Sequence, residues 1–284
     1  MSGSRDERLC RTAAVCVAEA KRRLPEPSAK SLRIAPIAGW VGLVIAGCVF
    51  RLLLDPHAVL PVLNAMMGVP FLSQALLRSA ALVHIAKRRG SERTAKGHAD
   101  VSCLPEVLPT YAILVPLLKE AEIIGQLIEG LCRIDYPADR LQISLIVEED
   151  DTCTQSAIAR QMLPDHMRVV VVPQGEPRTK PRALNHALAD ASGAYVVVYD
   201  AEDLPNPGQL REALAVLVSN SETTGCVQAR LNVYNADRNA ITRQFAIEYI
   251  ALFGAVLPTL DRLGLPIPLG GTSNHFPRRV LEQV

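Results

Sequence analysis

The chain has 284 residues, with 30 Lys and Arg against 29 Asp and Glu, so a formal net charge of +1 supplies no global field to gather nucleic acid or an acidic partner. It is 49% hydrophobic but only 4% aromatic, and its seven cysteines include no C-x-x-C pair, which argues against a zinc site and against a disulfide framework. The length allows one large domain or two small ones.

Residues 1–33 are polar and charged and are read as a cytoplasmic segment with a short helix near Arg8–Arg23. The run 35–54, APIAGWVGLVIAGCVFRLLL, is about one bilayer thickness of helix at roughly 1.5 Å per residue, and its only charge, Arg51, lies near the end where it can snorkel. A second apolar run covers 59–86, with Pro70 expected to kink it. The link DPHA carries no Lys or Arg, whereas Lys21, Arg22 and Arg23 precede the pair and Lys87, Arg88 and Arg89 follow it. The positive-inside rule then puts both flanks in the cytoplasm. Residues 34–86 are therefore expected to form a two-helix transmembrane hairpin, the alternative being a buried hairpin of a soluble protein. Residues 87–108 read as a basic linker containing Gly, Ser and Pro.

From Pro109 the pattern changes to alternating strands and helices. YAILVP predicts a strand ended by Pro116, and Ile123, Ile124, Leu127, Ile128 and Leu131 mark one face of a helix. ISLIV, RVVVV and AYVVVY are further continuous apolar strands. They are separated by a helix near Thr154–Leu163 and by one opening at Pro181, a residue suited to a first helical turn. A helix over Gln209–Val218, a short strand GCVQARL and a long helix NAITRQFAIEYIALFGAVL complete the series. Continuous apolar strands alternating with helices imply a mostly parallel sheet covered on both faces.

Ligands of such sheets bind beyond the carboxyl ends of the strands, near a switch in strand order. Those ends read VPLLKE, IVEEDD, VVPQGEPRTK and VYDAED. Neither G-x-G-x-x-G nor G-x-x-x-x-G-K-[ST] occurs after a strand, which argues against a Rossmann dehydrogenase and a P-loop enzyme. A diphosphate would instead be held by a metal and side chains. Asp200 and Glu202 stand one residue apart at a strand end, and hard divalent cations want carboxylate oxygens together with phosphate oxygens and water. Lys180 and Arg182 place positive charge upstream of them, and a carboxylate of the 148–151 run suits a base N–H or a ribose hydroxyl. Each piece alone has a plain alternative: Asp203 in a turn, Asn206 as a helix N-cap, a solvated acidic loop, a surface lysine.

In order, the pieces are more specific. The chain from Pro109 to Val284 resembles family 2 glycosyltransferases of GT-A fold, of the type found in bacterial cellulose synthase catalytic subunits and related membrane-anchored polysaccharide synthases. ILVPLLKE resembles the family's strand-Pro-x-Tyr-Asn-Glu, with Pro116 and Glu120 matching and Leu118 and Lys119 where Tyr and Asn are common. IVEEDD resembles V-D-D-G-S, with Glu149 at the second Asp, and TKPRALNHAL resembles G-K-x-x-A-L-N, with Lys180 and Asn185 matching. YDAED resembles the D-x-D metal motif, with Asp200 and Glu202 as ligands. VQARLNVYN and GGTSNHF resemble segments lining the acceptor side, the latter holding Gly271, Thr272, Ser273, Asn274 and His275.

The resemblance implies an α/β, Rossmann-like GT-A domain over 109–284. Its reaction would be metal-dependent (Mg²⁺ or Mn²⁺) and inverting, from a nucleotide-diphosphate sugar, expected to be a UDP-sugar, to a glycan acceptor. It implies a multi-pass protein of the inner membrane with its transferase domain in the cytoplasm and with synthase subunits as possible partners, and no nucleic acid. The family's Thr-Glu-Asp general-base motif and Gln-x-x-Arg-Trp motif are not found: the sole tryptophan is Trp40, and Glu282 is the only carboxylate side chain after Asn274. The chain is accordingly expected to be an inactive piece of a longer synthase, with the base beyond Val284. The alternative is a base-less nucleotide-sugar-binding regulator or assembly partner. A soluble sugar-phosphate nucleotidyltransferase would carry a glycine-rich basic loop near the first strand, which VPLLKEAE does not supply.

Overall fold

A computed structural model describes residues 47, 56–89 and 101–283. The helix expected near Arg8–Arg23, all of the first apolar run except Gly47, and residues 90–100 of the linker lie outside the described residues.

Two compact units share the described chain. Residues 101–231 and 268–283 make one, and residues 56–89 with 232–267 make the other. The first unit is built on a six-stranded sheet: β1 (Tyr111–Leu117), β2 (Leu141–Glu148), β3 (Met167–Val172), β4 (Tyr195–Val198), β5 (Val227–Gln228) and β6 (Asn274–Pro277), in the spatial order β3-β2-β1-β4-β6-β5. The neighbours β3, β2, β1 and β4 pair in parallel, and β6 then pairs antiparallel with both β4 and β5. The sheet is thus mostly parallel, as the continuous apolar runs require. Pro116 does not stop β1, which runs one residue further and keeps Pro116 opposite Ile146 of β2. The strand tolerates it because pairing with β4 ends at Leu114, so on that side β1 is an edge at Pro116.

The helices of this unit are α2 (Ile124–Cys132), α3 (Thr152–Ala159), α4 (Lys180–Asp190), α5 (Gln209–Ser219) and α8 (Arg278–Leu281). The pleat of β1 divides the core between two faces. Tyr111, Ile113 and Val115 pack with Leu127 and Leu131 of α2 and with Leu210 and Leu214 of α5, whereas Ala112 and Leu114 pack with Ala183 and Ala187 of α4. Gly193, before β4, is required by close approach: a Cβ there would lie 2.4 Å from the Ala112 nitrogen. Asn206 is not the N-cap of α5 but lies two residues before it: Gly208 caps the helix, and the Asn206 Oδ1 accepts the Gly208 N–H at 3.0 Å. Cys132, Cys153 and Cys226 are free thiols.

The second unit joins α1 (Pro56–Arg89) to a long helical stretch composed of α6 (Ala240–Ala251), a π-helical turn (Leu252–Val256) and α7 (Leu257–Arg262). The wide turn falls just before Pro258, which has no N–H to continue the ordinary ladder. Arg78 of α1 and Glu248 of α6 form an ion pair at 3.6 Å. The two-helix transmembrane hairpin is not shown. Pro56, His57 and Ala58 of the expected DPHA turn belong to α1, which continues through both Pro61 and Pro70. Among the described residues the one helix long and apolar enough to cross a membrane is Ala240–Arg262, and Gly68–Val83 of α1 is a shorter apolar stretch.

Candidate functional site

Strands β3, β2 and β1 follow one another outward in one direction and β4 lies on the other side of β1, so the order switches between β1 and β4. Parallel strands leave a crevice at their carboxyl ends at such a point. A cavity of 270 Å³ sits there. Pro116 and Leu117 end β1, Ile146 and Glu148 end β2, Lys180 and Ala183 open α4, and Asp200 to Glu202 follow β4, all lining it.

The acidic turn after β4 is pinned from behind. The Asp203 carboxylate accepts the Asp200 N–H at 2.8 Å and the Thr272 hydroxyl. Burial pushes the Asp203 carboxyl above the ordinary range, against the pull of those donors. Asp203 therefore fixes the backbone of Asp200 and leaves the Asp200 and Glu202 side chains to the cavity. The Lys180 ammonium donates to the Asp200 carboxylate and, at 2.8 Å, to the Gly271 carbonyl. Two carboxylates facing one cavity suit a hard divalent cation whose other positions are filled by diphosphate and water. No group of three or more His, Cys, Asp or Glu arranged for a metal occurs among the described residues, so these two would depend on the ligand to complete the shell.

At the exit of β2 each acid has its own partner. Glu148 pairs with Arg182 at 3.3 Å, both largely buried. Glu149 accepts the Gln174 N–H at 3.1 Å, Asp150 pairs with Arg178 at 2.6 Å, and Asp151 accepts the Lys119 N–H at 2.6 Å while capping α3 through the Thr154 N–H. Burial acts upward on Asp151, but the Lys119 and Thr154 hydrogen bonds outweigh it and hold its carboxyl low. The Lys119 backbone is left-handed, with φ of 61°, a conformation in which Asn is at ease and longer residues are strained.

Of the residues singled out by sequence, Pro116, Glu120, Lys180, Asp200 and Glu202 line the cavity together. Glu149 and Asn185 are exposed outside its lining, and Glu148 rather than Glu149 faces in. Arg182 is drawn away to Glu148 and the Pro173 carbonyl, in space that a Cβ on Gly175 would take. Arg178, unmarked by the motifs, lines the cavity. The 271–275 segment is threaded behind the acidic turn. Gly271 receives Lys180, Thr272 bonds Asp203, and the Ser273 N–H reaches the Val198 carbonyl at 2.7 Å. Asn274 donates to the Gly270 carbonyl at 2.6 Å. His275 is wholly buried, with its Nδ1 2.7 Å from the Tyr111 hydroxyl and its ring edge-on to Tyr111 and Tyr199, and burial pushes its pKa down to about 3.

Residues 109–284 match the model of the family described as "Glycosyltransferase like family 2". The "Probable glycosyltransferase YdaM" of Bacillus subtilis (strain 168) is 29% identical over 146 residues, which are 50% of this chain and 34% of that protein. The "Beta-monoglucosyldiacylglycerol synthase" of Synechocystis sp. is 32% identical over 146 residues, 51% of this chain and 29% of that protein. The chain thus matches about a third of the length of each of these curated relatives. Among solved structures, a mannosyltransferase from Pyrobaculum calidifontis in complex with GDP-Man and Mn²⁺ is 25% identical with a TM-score of 0.46, covering 70% of this chain and 59% of that one.

Proposed function

Since the chain belongs to the glycosyltransferase-like family 2, we propose that it binds a nucleotide-diphosphate sugar, a UDP-sugar in our reading, as the donor of an inverting, metal-dependent transfer to a glycan hydroxyl. The α/β, GT-A-like fold places the crevice, and one observation carries the reading: Lys180, Asp200 and Glu202 converge on the cavity at the β1/β4 switch.

Asp200 and Glu202 would hold a divalent cation, Mg²⁺ or Mn²⁺. When bound, it offsets the charge of the departing diphosphate. Asp203 keeps Asp200 in place through the Asp200 N–H. Lys180, at the first turn of α4, brings an ammonium and the positive end of the helix to the phosphates. Glu120 and Glu148 supply acceptors for the N–H and hydroxyl groups of a nucleoside. Pro116, Leu117 and Ile146 offer it an apolar wall.

Membrane attachment is part of the proposal. In the second unit Phe71, Leu72 and Leu76 of α1 and Phe245, Ile247 and Ile250 of α6 are all more than half exposed. Large apolar side chains left in the open on long helices suit a lipid surface. With the motifs that resemble the cellulose-synthase type, this supports an inner-membrane protein whose catalytic domain is cytoplasmic and whose assembly includes synthase partners.

Titration calorimetry with UDP, with and without Mn²⁺, tests the reading. Binding that strengthens with Mn²⁺ and loses that dependence in Asp200→Ala is the expected result. UDP binding indifferent to both would overturn it.

A further inference from the structure

The two cations that the sequence offers to a diphosphate are Lys180 and Arg182, yet the structure leaves only the first at the cavity. Arg182 is committed to Glu148 and the Pro173 carbonyl. The second cation at the cavity is Arg178. It lines the 270 Å³ cavity and also an adjoining one of 530 Å³ built from residues 118–123 and 150–153. The two cavities share Leu118, Glu120 and Arg178, so Arg178 stands between them.

We infer that Arg178 binds the diphosphate of the donor, and that Asp150 holds it in reserve until the nucleotide arrives. This rests on the donor-binding reading above. In the resting chain the guanidinium is 2.6 Å from the Asp150 carboxylate, and the two side chains are 44% and 40% exposed. An ion pair so open to water contributes little and is given up readily. Releasing it does not undo the 173–179 loop. Glu149 still holds the Gln174 N–H, and Arg182 still holds the Pro173 carbonyl. Arg178 lies two residues before Lys180, so both cations approach from the start of α4.

Charge gives the exchange its direction. Glu120, Glu148, Asp200 and Glu202 face the cavity against Lys180 and Arg178. A diphosphate adds further negative charge, and each cation that can turn to it counts. The guanidinium fork also matches phosphate oxygens two at a time, which an ammonium does not.

The test is calorimetry on the full chain in Mg²⁺ buffer, with UDP and GDP each compared with its own nucleoside. Arg178→Ala is expected to weaken the preferred diphosphate about tenfold or more while changing its nucleoside less than twofold, and Arg178→Lys to fall between. Asp150→Asn frees the guanidinium and is expected to tighten the diphosphate severalfold with no change for the nucleoside. If Arg178→Ala leaves diphosphate affinity intact, or weakens nucleoside equally, Arg178 only braces the loop and the inference fails while the donor reading stands. If the unaltered chain binds neither nucleotide, the donor reading falls and takes this inference with it.

Discussion

The Lys180 ammonium bonds the Asp200 carboxylate across 20 residues of sequence, placing a fixed positive charge on the side chain that we assign to a metal. The arriving cation and the lysine must therefore compete for Asp200, unless the lysine turns to phosphate. Replacing Lys180 by Met is expected to tighten Mn²⁺ binding in the absence of nucleotide and to weaken UDP about tenfold, or about 1.4 kcal/mol. Calorimetry with each ligand alone measures both arms. Unchanged Mn²⁺ affinity would remove Asp200 from the metal site.

Asp203 accepts both the Asp200 N–H and the Thr272 hydroxyl. Asp203→Ala removes the closer acceptor of each donor, leaving the Asp200 N–H only the Thr272 hydroxyl at 3.2 Å and that hydroxyl only the Val198 carbonyl at 3.3 Å, and should cost about 1 kcal/mol in urea unfolding. Asp203→Asn keeps an acceptor and removes a charge that burial disfavours, so its cost should be smaller. A loss of equal size in the two variants would show that the charge itself, rather than the acceptor, holds the turn.

The Arg182–Glu148 pair is the most enclosed ion pair described here, with side chains 17% and 10% exposed. Removing one partner strands a buried charge, so Arg182→Met is expected to cost about 3 kcal/mol. Adding Glu148→Gln should restore most of that. Equal stability of the single and double variants would contradict the assignment.

His275 makes the domain sensitive to acid. Its folded pKa is pushed down to about 3 by burial, against an ordinary value of 6.5. The unfolded chain therefore binds a proton that the folded chain refuses as pH falls below 6.5, and stability rises with pH between those two values. The contribution lost by pH 5.5 is about 1.4 kcal/mol. Unfolding curves at pH 7.5 and 5.5 should differ by that much more in the parent than in His275→Gln. Parallel losses in both would assign the acid effect to other groups.

The exposed apolar side chains of α1 and α6 predict binding to lipid. Flotation with phosphatidylglycerol-containing vesicles should recover the chain with the lipid fraction. Changing Phe245, Ile247 and Ile250 together to Ser should release a substantial share of it, because each removes roughly 2 kcal/mol of apolar burial. Retention of the triple variant would move the contact to another surface.

The elements of the sheet domain are legible along the chain because apolar periodicity is local. Ile124, Leu127, Ile128 and Leu131 announce the buried face of α2, and the unbroken run in β1 announces a strand covered on both sides. Motif order also brought Pro116, Glu120, Lys180, Asp200 and Glu202 forward, since each lies at an element end whose position in a parallel sheet is fixed by topology. What sequence could not assign was partnership. Among the four acids of 148–151 the motif singles out Glu149, yet it is Glu148 that meets Arg182 across 34 residues and Asp150 that meets Arg178 across 28. Which arginine reaches the cavity depends on the packing of the 173–179 loop, and local pattern carries no term for that. His275 likewise sits in a segment that reads as a polar loop, but as part of β6 it pairs with Val197 of β4, which carries its ring into the core beside Tyr111. The helical stretch 240–262 is equally a tertiary result. Its sequence predicts a long helix, while its membership in a unit with α1, and the apolar faces it leaves open, follow only from contacts between segments far apart in the chain, such as that of Arg78 with Glu248.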